Sequence, residues 1–252
     1  MKIAGIDVTV WRPQGRAAAP LVIFSHGFHG SSRQSVFLMK ALAEHGYLVI
    51  APNHRDAMRR GGTAGSIRPE EGFAKVDAWN DSTYKDRADD IRSLIAALKR
   101  DPAWSGAIDW AKIALAGHSL GGYTVLGLAG AWPSWKLPNV RAVLALSPYA
   151  NPYIKGKTLS GIKAPVMYQS GTLDFGIGPF AKKHGGAYDQ TPSPAYYVEF
   201  QGAGHFAWTD LNPKFQPDIV YYCVAYLDRY VKGDRSADPA RKLSDVSDLR
   251  SK

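Results

Sequence analysis

Three residues of this 252-residue chain could together carry out acyl transfer: Ser119, Asp174 and His205. Ser119 lies in Gly117-His118-Ser119-Leu120-Gly121. This fits G-x-S-x-G, the elbow in which a sharp strand-to-helix turn lifts a serine above a sheet edge. The spacing has a steric cause. The serine takes a strained backbone conformation, and the residues two before and two after it must be small because strand and helix nearly touch. In that chemistry Ser119 attacks a carbonyl carbon, and His205 takes its proton and later returns it to the leaving group. Asp174 fixes the imidazole tautomer and stabilises its cation. Ser, then Asp, then His is the chain order expected when the serine sits on such an elbow.

The acid has alternatives. Asp174 could merely cap or turn its loop, which would leave Asp189 or Asp210 for the role. His205, between Gly204 and Phe206, is hard to explain as a core histidine. His26 and His118 flank key loops with neighbours that suggest scaffolding hydrogen bonds. His29, His45, His54 and His184 show no metal-ligand spacing with one another, so neither a metal nor any other cofactor is expected. The developing oxyanion needs donors, each contributing roughly 100- to 1,000-fold in rate. The backbone N–H of Leu120, the residue after the nucleophile, supplies one, and that of Phe28 in Ser25-His26-Gly27-Phe28-His29-Gly30 supplies the other.

Buried strands must position these groups. Leu21–Phe24, Tyr47–Ala51, Ile113–Ala116 and Val140–Leu146 are short apolar runs of the kind covered on both faces. Residues 164–169 lead into Asp174, and residues 196–200 lead into His205. Ile6–Trp11 alternates and predicts a half-exposed strand. Helical spacing covers 36–43, with Gly46 as its stop, 86–100, the stretch after Ser119 to about Trp132, and 216–231. Strands alternating with helices over the whole length predict an α/β fold, a mainly parallel, doubly wound sheet flanked by helices. In such a sheet functional groups gather beyond the carboxyl ends of the strands. One domain over 1–252 is expected, with its core at about 3–232 and a polar, loosely docked tail at 233–252. From Pro52 to about Lys85 the pattern breaks down into a long loop, a candidate partial lid.

Composition narrows the function class. The hydrophobic share of 45% and charged share of 21% are those of an ordinary globular protein. The net charge of +9 is spread over scattered residues and short doublets such as Lys182-Lys183, and no recognition motif accompanies it, so nucleic acid is not the expected partner. The lone cysteine, Cys223, falls inside a helical pattern and is expected in the core. No stretch approaches the roughly 18 apolar residues of a membrane span. The N-terminus carries Asp7 where a signal peptide needs an apolar run, so a cytoplasmic protein is expected, a secreted form with its leader removed being the alternative. The sequence leaves the oligomeric state open.

With the elbow, the His-Gly loop and the ordered triad in place, the chain resembles an α/β-hydrolase from about residue 3 to 232. Ser-His-Gly-Phe at 25–28, Leu-Ala-Glu-His-Gly-Tyr at 42–47 and Asn-His-Arg-Asp at 53–56 resemble the dienelactone-hydrolase-like and platelet-activating-factor-acetylhydrolase-like esterases. The aromatic after His-Gly and Gly-His-Ser-Leu-Gly-Gly are similar to cutinase-like polyester hydrolases. Two departures matter. Dienelactone hydrolases use a cysteine nucleophile where this chain has Ser119, and secreted polyester hydrolases usually carry an export signal and often a disulfide. No long insertion separates Leu146 from Pro165, where the superfamily's helical cap normally sits, so an open site without a large cap domain is expected.

The resemblance implies a serine carboxylic-ester hydrolase working through an acyl-enzyme on a small-molecule ester. Phe28, Trp79, Tyr149, Tyr153, Phe206 and Trp208 are the expected lining, suited to an apolar or aromatic acyl or alcohol group. The alternatives are a polyester or phthalate-type ester hydrolase and a non-catalytic binding protein on the same fold.

Overall fold

The computed structural model describes residues 1–15, 18–58 and 73–252. Among them a nine-stranded sheet runs in the order β1-β2-β4-β3-β5-β6-β7-β8-β9. Its strands are β1 (Lys2–Ile3), β2 (Ile6–Trp11), β3 (Ala19–Ser25), β4 (Leu48–Pro52), β5 (Ile108–His118), β6 (Val140–Leu146), β7 (Val166–Gly171), β8 (Ala195–Phe200) and β9 (Val246–Ser251). Strands β3 to β8 pair in parallel, while β1, β2 and β9 join antiparallel at the two edges. This is the α/β-hydrolase fold.

The apolar runs are continuous because both faces of the sheet are covered. In β3, Leu21 and Ile23 face one core and Val22 and Phe24 the other. Over the first face pack helix Lys85–Arg100, through Ala88, Ile91, Leu94, Ile95 and Leu98, and the elbow helix Leu120–Leu126. Helices Val36–Glu44 and Gln216–Leu227 cover the second, through Leu38, Met39, Leu42, Ile219 and Tyr222. Cys223 is buried there, and burial pushes its thiol up to about 12. No helix among the described residues is long and apolar enough to cross a membrane.

Two expectations need correction. The elbow helix is regular only to Leu126; a wider turn follows over Gly127–Ala131 and Gly130 breaks it at φ 126°. The polar tail, expected to be loosely docked, instead ends in β9. Val198 pairs with Leu249 and Tyr197 with Arg250, Val246 is buried, and the Ser247 hydroxyl donates to the Glu199 carboxylate. One buried apolar residue and a set of cross-strand partners suffice for an edge strand. As expected, the β6-to-β7 connection carries only the short helix Asn151–Gly156 and a turn at Leu159–Gly161.

Candidate active site

Strand β5 delivers Ser119 at φ 56°, ψ −117°, a conformation costing a non-glycine residue about 1–3 kcal/mol. Neighbouring chains hold it there. The Ser119 N–H donates to the carbonyl of Leu146, and its own carbonyl accepts from the N–H groups of Tyr123 and Tyr149. The glycines around it are sterically required. A Cβ on Gly117 would overlap the backbone of Gly121, one on Gly121 the carbonyl of Ser25, and one on Gly122 the ring of Pro148.

The loop after β8 brings His205 to this serine, with Nε2 2.9 Å from Ser119 Oγ. The loop after β7 brings Asp174, buried, with both carboxylate oxygens 3.3 Å from His205 Nδ1. The two alternative acids lie elsewhere in the hydrogen-bond network. Asp210 accepts from the N–H groups of Val36 and Phe37 at the start of helix Val36–Glu44, and Asp189 accepts from the N–H of Gly185. A third group, which the sequence did not announce, stands between carboxylate and imidazole: the Ser147 hydroxyl donates to Asp174 and lies 2.9 Å from His205 Nδ1.

The loop after β3 runs beside the elbow. Among the described residues, no acceptor is seen for the N–H of Phe28 or of Leu120. Two structures shape this loop from beneath. The first is Arg87, fully buried on helix Lys85–Arg100. Its guanidinium donates to both oxygens of Asp56 at 2.9 and 2.7 Å, to the carbonyl of His26 at 2.7 Å and to that of Gly27 at 3.1 Å. Asp56 in turn accepts from the His29 N–H. Burial alone would raise the Asp56 carboxyl, but the Arg87 charge outweighs it and holds the group at about 2. The rigid fork suits this four-way task, which turns two carbonyls inward. The second is Gln34, whose side-chain carbonyl accepts from the Gly27 N–H and whose amide donates to His118 Nδ1. His118 Nε2 donates onward to the His205 carbonyl. His26 and His118 are therefore scaffold residues, and so is His54, which contacts Ser25 and Asp90 through its ring. Among the described residues no cluster of three or more His, Cys, Asp or Glu is placed to hold a metal.

The expected aromatic lining divides. Phe28, Trp79 and Tyr149 join Phe73 in one cluster, with ring centroids 4.7–5.9 Å apart. This cluster sits against the elbow, since the N–H of Tyr149 binds Ser119. Phe206 is 60% exposed beside His205, and Leu173 and Phe175 are exposed on either side of Asp174. Tyr153 and Trp208 do not line the site. Tyr153 is fully buried, stacked on Tyr123 and bonded to its carbonyl. Trp208 is fully buried in the core of the opposite sheet face, donating to Gln169. The part of the 53–85 loop between residues 59 and 72 lies outside the described residues.

Comparison with known proteins agrees with this architecture. Residues 4–177 match the family model described as Chlorophyllase. Cutinase 2 of Thermobifida cellulosilytica is 25% identical over 229 residues, covering 90% of this chain and 74% of that protein. Cutinase est1 of Thermobifida alba is 25% identical over 252 residues, 96% of this chain and 73% of its own length. Cutinase cut1 of Thermobifida fusca is also 25% identical over 229 residues, with 60% of its length covered.

Proposed function

This chain belongs to the chlorophyllase family and is a carboxylic-ester hydrolase; from that premise we propose that Ser119, His205 and Asp174 form its catalytic triad and that it turns over small to medium esters through an acyl-enzyme. The observation that carries this reading is the 2.9 Å contact between Ser119 Oγ and His205 Nε2 at a strained, glycine-walled elbow. Ser119 Oγ attacks the ester carbonyl as Nε2 takes its proton. The negative charge that develops on the carbonyl oxygen meets the N–H groups of Phe28 and Leu120, which are fixed in advance and need no reorganisation. Collapse expels the alcohol with the proton from Nε2. A water molecule, deprotonated by the same nitrogen, then releases the acid. Asp174 keeps the Nδ1 proton in place and offsets the imidazolium charge.

The aromatic cluster of Phe28, Phe73, Trp79 and Tyr149 suits an apolar or aromatic group on one side of the scissile bond, and Phe206 suits one on the other. A second reading, hydrolysis of polyesters or phthalate-type esters, is favoured by the exposure of Leu173, Phe175 and Phe206 and by relatives named cutinases. Hydrolysis of p-nitrophenyl esters from acetyl to dodecanoyl, together with a polyester film, separates the two. The first reading predicts strong turnover of short acyl chains, a steep decline towards dodecanoyl and an intact film. Undiminished turnover of long chains with soluble product released from the film would replace it by the second.

A further inference from the structure

Ser147 lies just beyond the end of β6, fully buried, with φ 43°. Its N–H donates to the carbonyl of Gln169 at 2.7 Å. Glycine takes a positive φ without the strain serine bears, so what serine adds at this position is its hydroxyl. That hydroxyl donates to Oδ2 of Asp174 and stands 2.9 Å from Nδ1 of His205, closer than either Asp174 oxygen at 3.3 Å. Nδ1 has a single proton to give, and its nearest acceptor is the Ser147 oxygen. Among the described residues, Ser147 and His205 are the groups whose side chains reach the Asp174 carboxylate.

We infer that Ser147 is a positioning residue for ester hydrolysis, coupling Asp174 to His205 through its hydroxyl. The inference rests on the triad reading proposed above. The Nδ1 proton points at Ser147 Oγ while the Ser147 proton points at the carboxylate, so one hydroxyl aligns both partners. The polarised O–H carries the carboxylate's influence to the ring when Nε2 takes the serine proton. No proton leaves Nδ1 or Ser147 at any stage. Two hydrogen bonds to ionised or ionising groups in a buried site outweigh neutral ones.

Ser147→Gly separates hydroxyl from backbone, because it removes the former while relieving the positive φ. The expected result on p-nitrophenyl acetate is a kcat lower by about 10- to 100-fold, with KM within about twofold. The thermal midpoint should be equal to or above that of the wild type. The low-field proton resonance of His205 Nδ1–H should move or vanish. Ser147→Ala, which keeps a Cβ, should reproduce the kinetic loss and decides the matter if the glycine variant folds poorly. Wild-type kcat with an unmoved Nδ1–H resonance in a folded Ser147→Ala or Ser147→Gly enzyme would overturn the inference. Ser119→Ala assayed alongside keeps the two failures apart. Retained turnover there overturns the triad reading itself, whereas lost turnover there with a fully active Ser147 variant overturns only the role of Ser147.

Discussion

His118 Nε2 donates to the backbone carbonyl of His205 across 2.8 Å, so the residue before the proposed nucleophile holds in place the residue proposed to deprotonate it. The tautomer is set from the far side. The Gly27 N–H occupies the Gln34 side-chain oxygen, which turns the Gln34 amide towards His118 Nδ1 and leaves the imidazole proton on Nε2. Burial first, and the neighbouring His205 second, drive His118 down to about 3, so it is a neutral strut at any working pH. One amide and one imidazole thus tie together the loops after β3, β5 and β8.

Cutting that strut at its outer end should loosen the oxyanion loop without touching the triad. Gln34→Ala is expected to lower kcat by about 10-fold, the cost of one hydrogen bond to each of two loops, with a smaller change in KM. Steady-state kinetics on a short ester check it, and an unchanged kcat would mean that the strut is dispensable.

The acid assignment makes opposite predictions for two aspartates. Asp174→Asn should reduce kcat roughly 10⁴-fold by freeing the wrong tautomer, with little loss of stability. Asp210→Ala should leave kcat within a few-fold and cost about 1 kcal/mol, because the N–H groups of Val36 and Phe37 lose their acceptor. Kinetics and urea unfolding on both variants read the contrast. A near-wild-type Asp174→Asn enzyme would move the acid elsewhere.

Arg87 offers a test of the loop's foundation. Arg87→Met removes one partner of a buried ion pair, leaving the Asp56 carboxylate without its counter-charge and the His26 carbonyl without the guanidinium donor. A loss of about 3–5 kcal/mol is expected. Arg87→Lys should recover only part of it, since an ammonium cannot match the fork. An unfolding free energy from urea titration within about 1 kcal/mol of wild type for Arg87→Met would contradict the role of this ion pair.

Legibility in the sequence followed physical rules. The elbow and the central apolar strands were readable because sterics fix glycine spacing and two-sided burial makes strands uniformly apolar. Arg87 was not, because helical periodicity places a charged residue on the wet face, and only the carbonyls and carboxylate converging from distant loops make its burial tolerable. Ser147, before Pro148, reads as an ordinary turn, and its partners Asp174 and His205 arrive from strands far along the chain. Trp208 misled because proximity to His205 in sequence does not fix direction. The short turn His205–Trp208 exposes Phe206 and sends Trp208 into the opposite core.

Stability should fall with acidification. His26, His54 and His118 are each held below the ordinary imidazole value, by burial first and then by Arg87 for the first two and His205 for the third. Below about pH 6.5 the unfolded chain binds these protons and the native chain does not, so unfolding becomes easier by up to about 1.4 kcal/mol per pH unit for each. Asp56, held at about 2, adds the same sign below about pH 4. Asp90, raised to about 6 chiefly by burial, opposes from there downward, with Asp86 and Asp218 shifted the same way. The loss should therefore set in as pH falls through about 6.5 and deepen below it, with Asp90 offsetting part of it from about 6 downward. Calorimetry from pH 7.5 to 5 should show a falling Tm; a flat or rising one would contradict the neutral, buried state of the three histidines.

Whether Ser119 is the nucleophile is decided by labelling wild type and Ser119→Ala with a serine-reactive phosphonate while following p-nitrophenyl acetate hydrolysis. One adduct per wild-type chain is expected, mapped by peptide mass to the segment containing Ser119, with turnover lost as the label goes on. A folded Ser119→Ala protein should take up no label and turn over the ester more slowly by several orders of magnitude. An adduct on another residue, or a Ser119→Ala enzyme that still turns over the ester at the wild-type rate, would contradict Ser119 as the nucleophile.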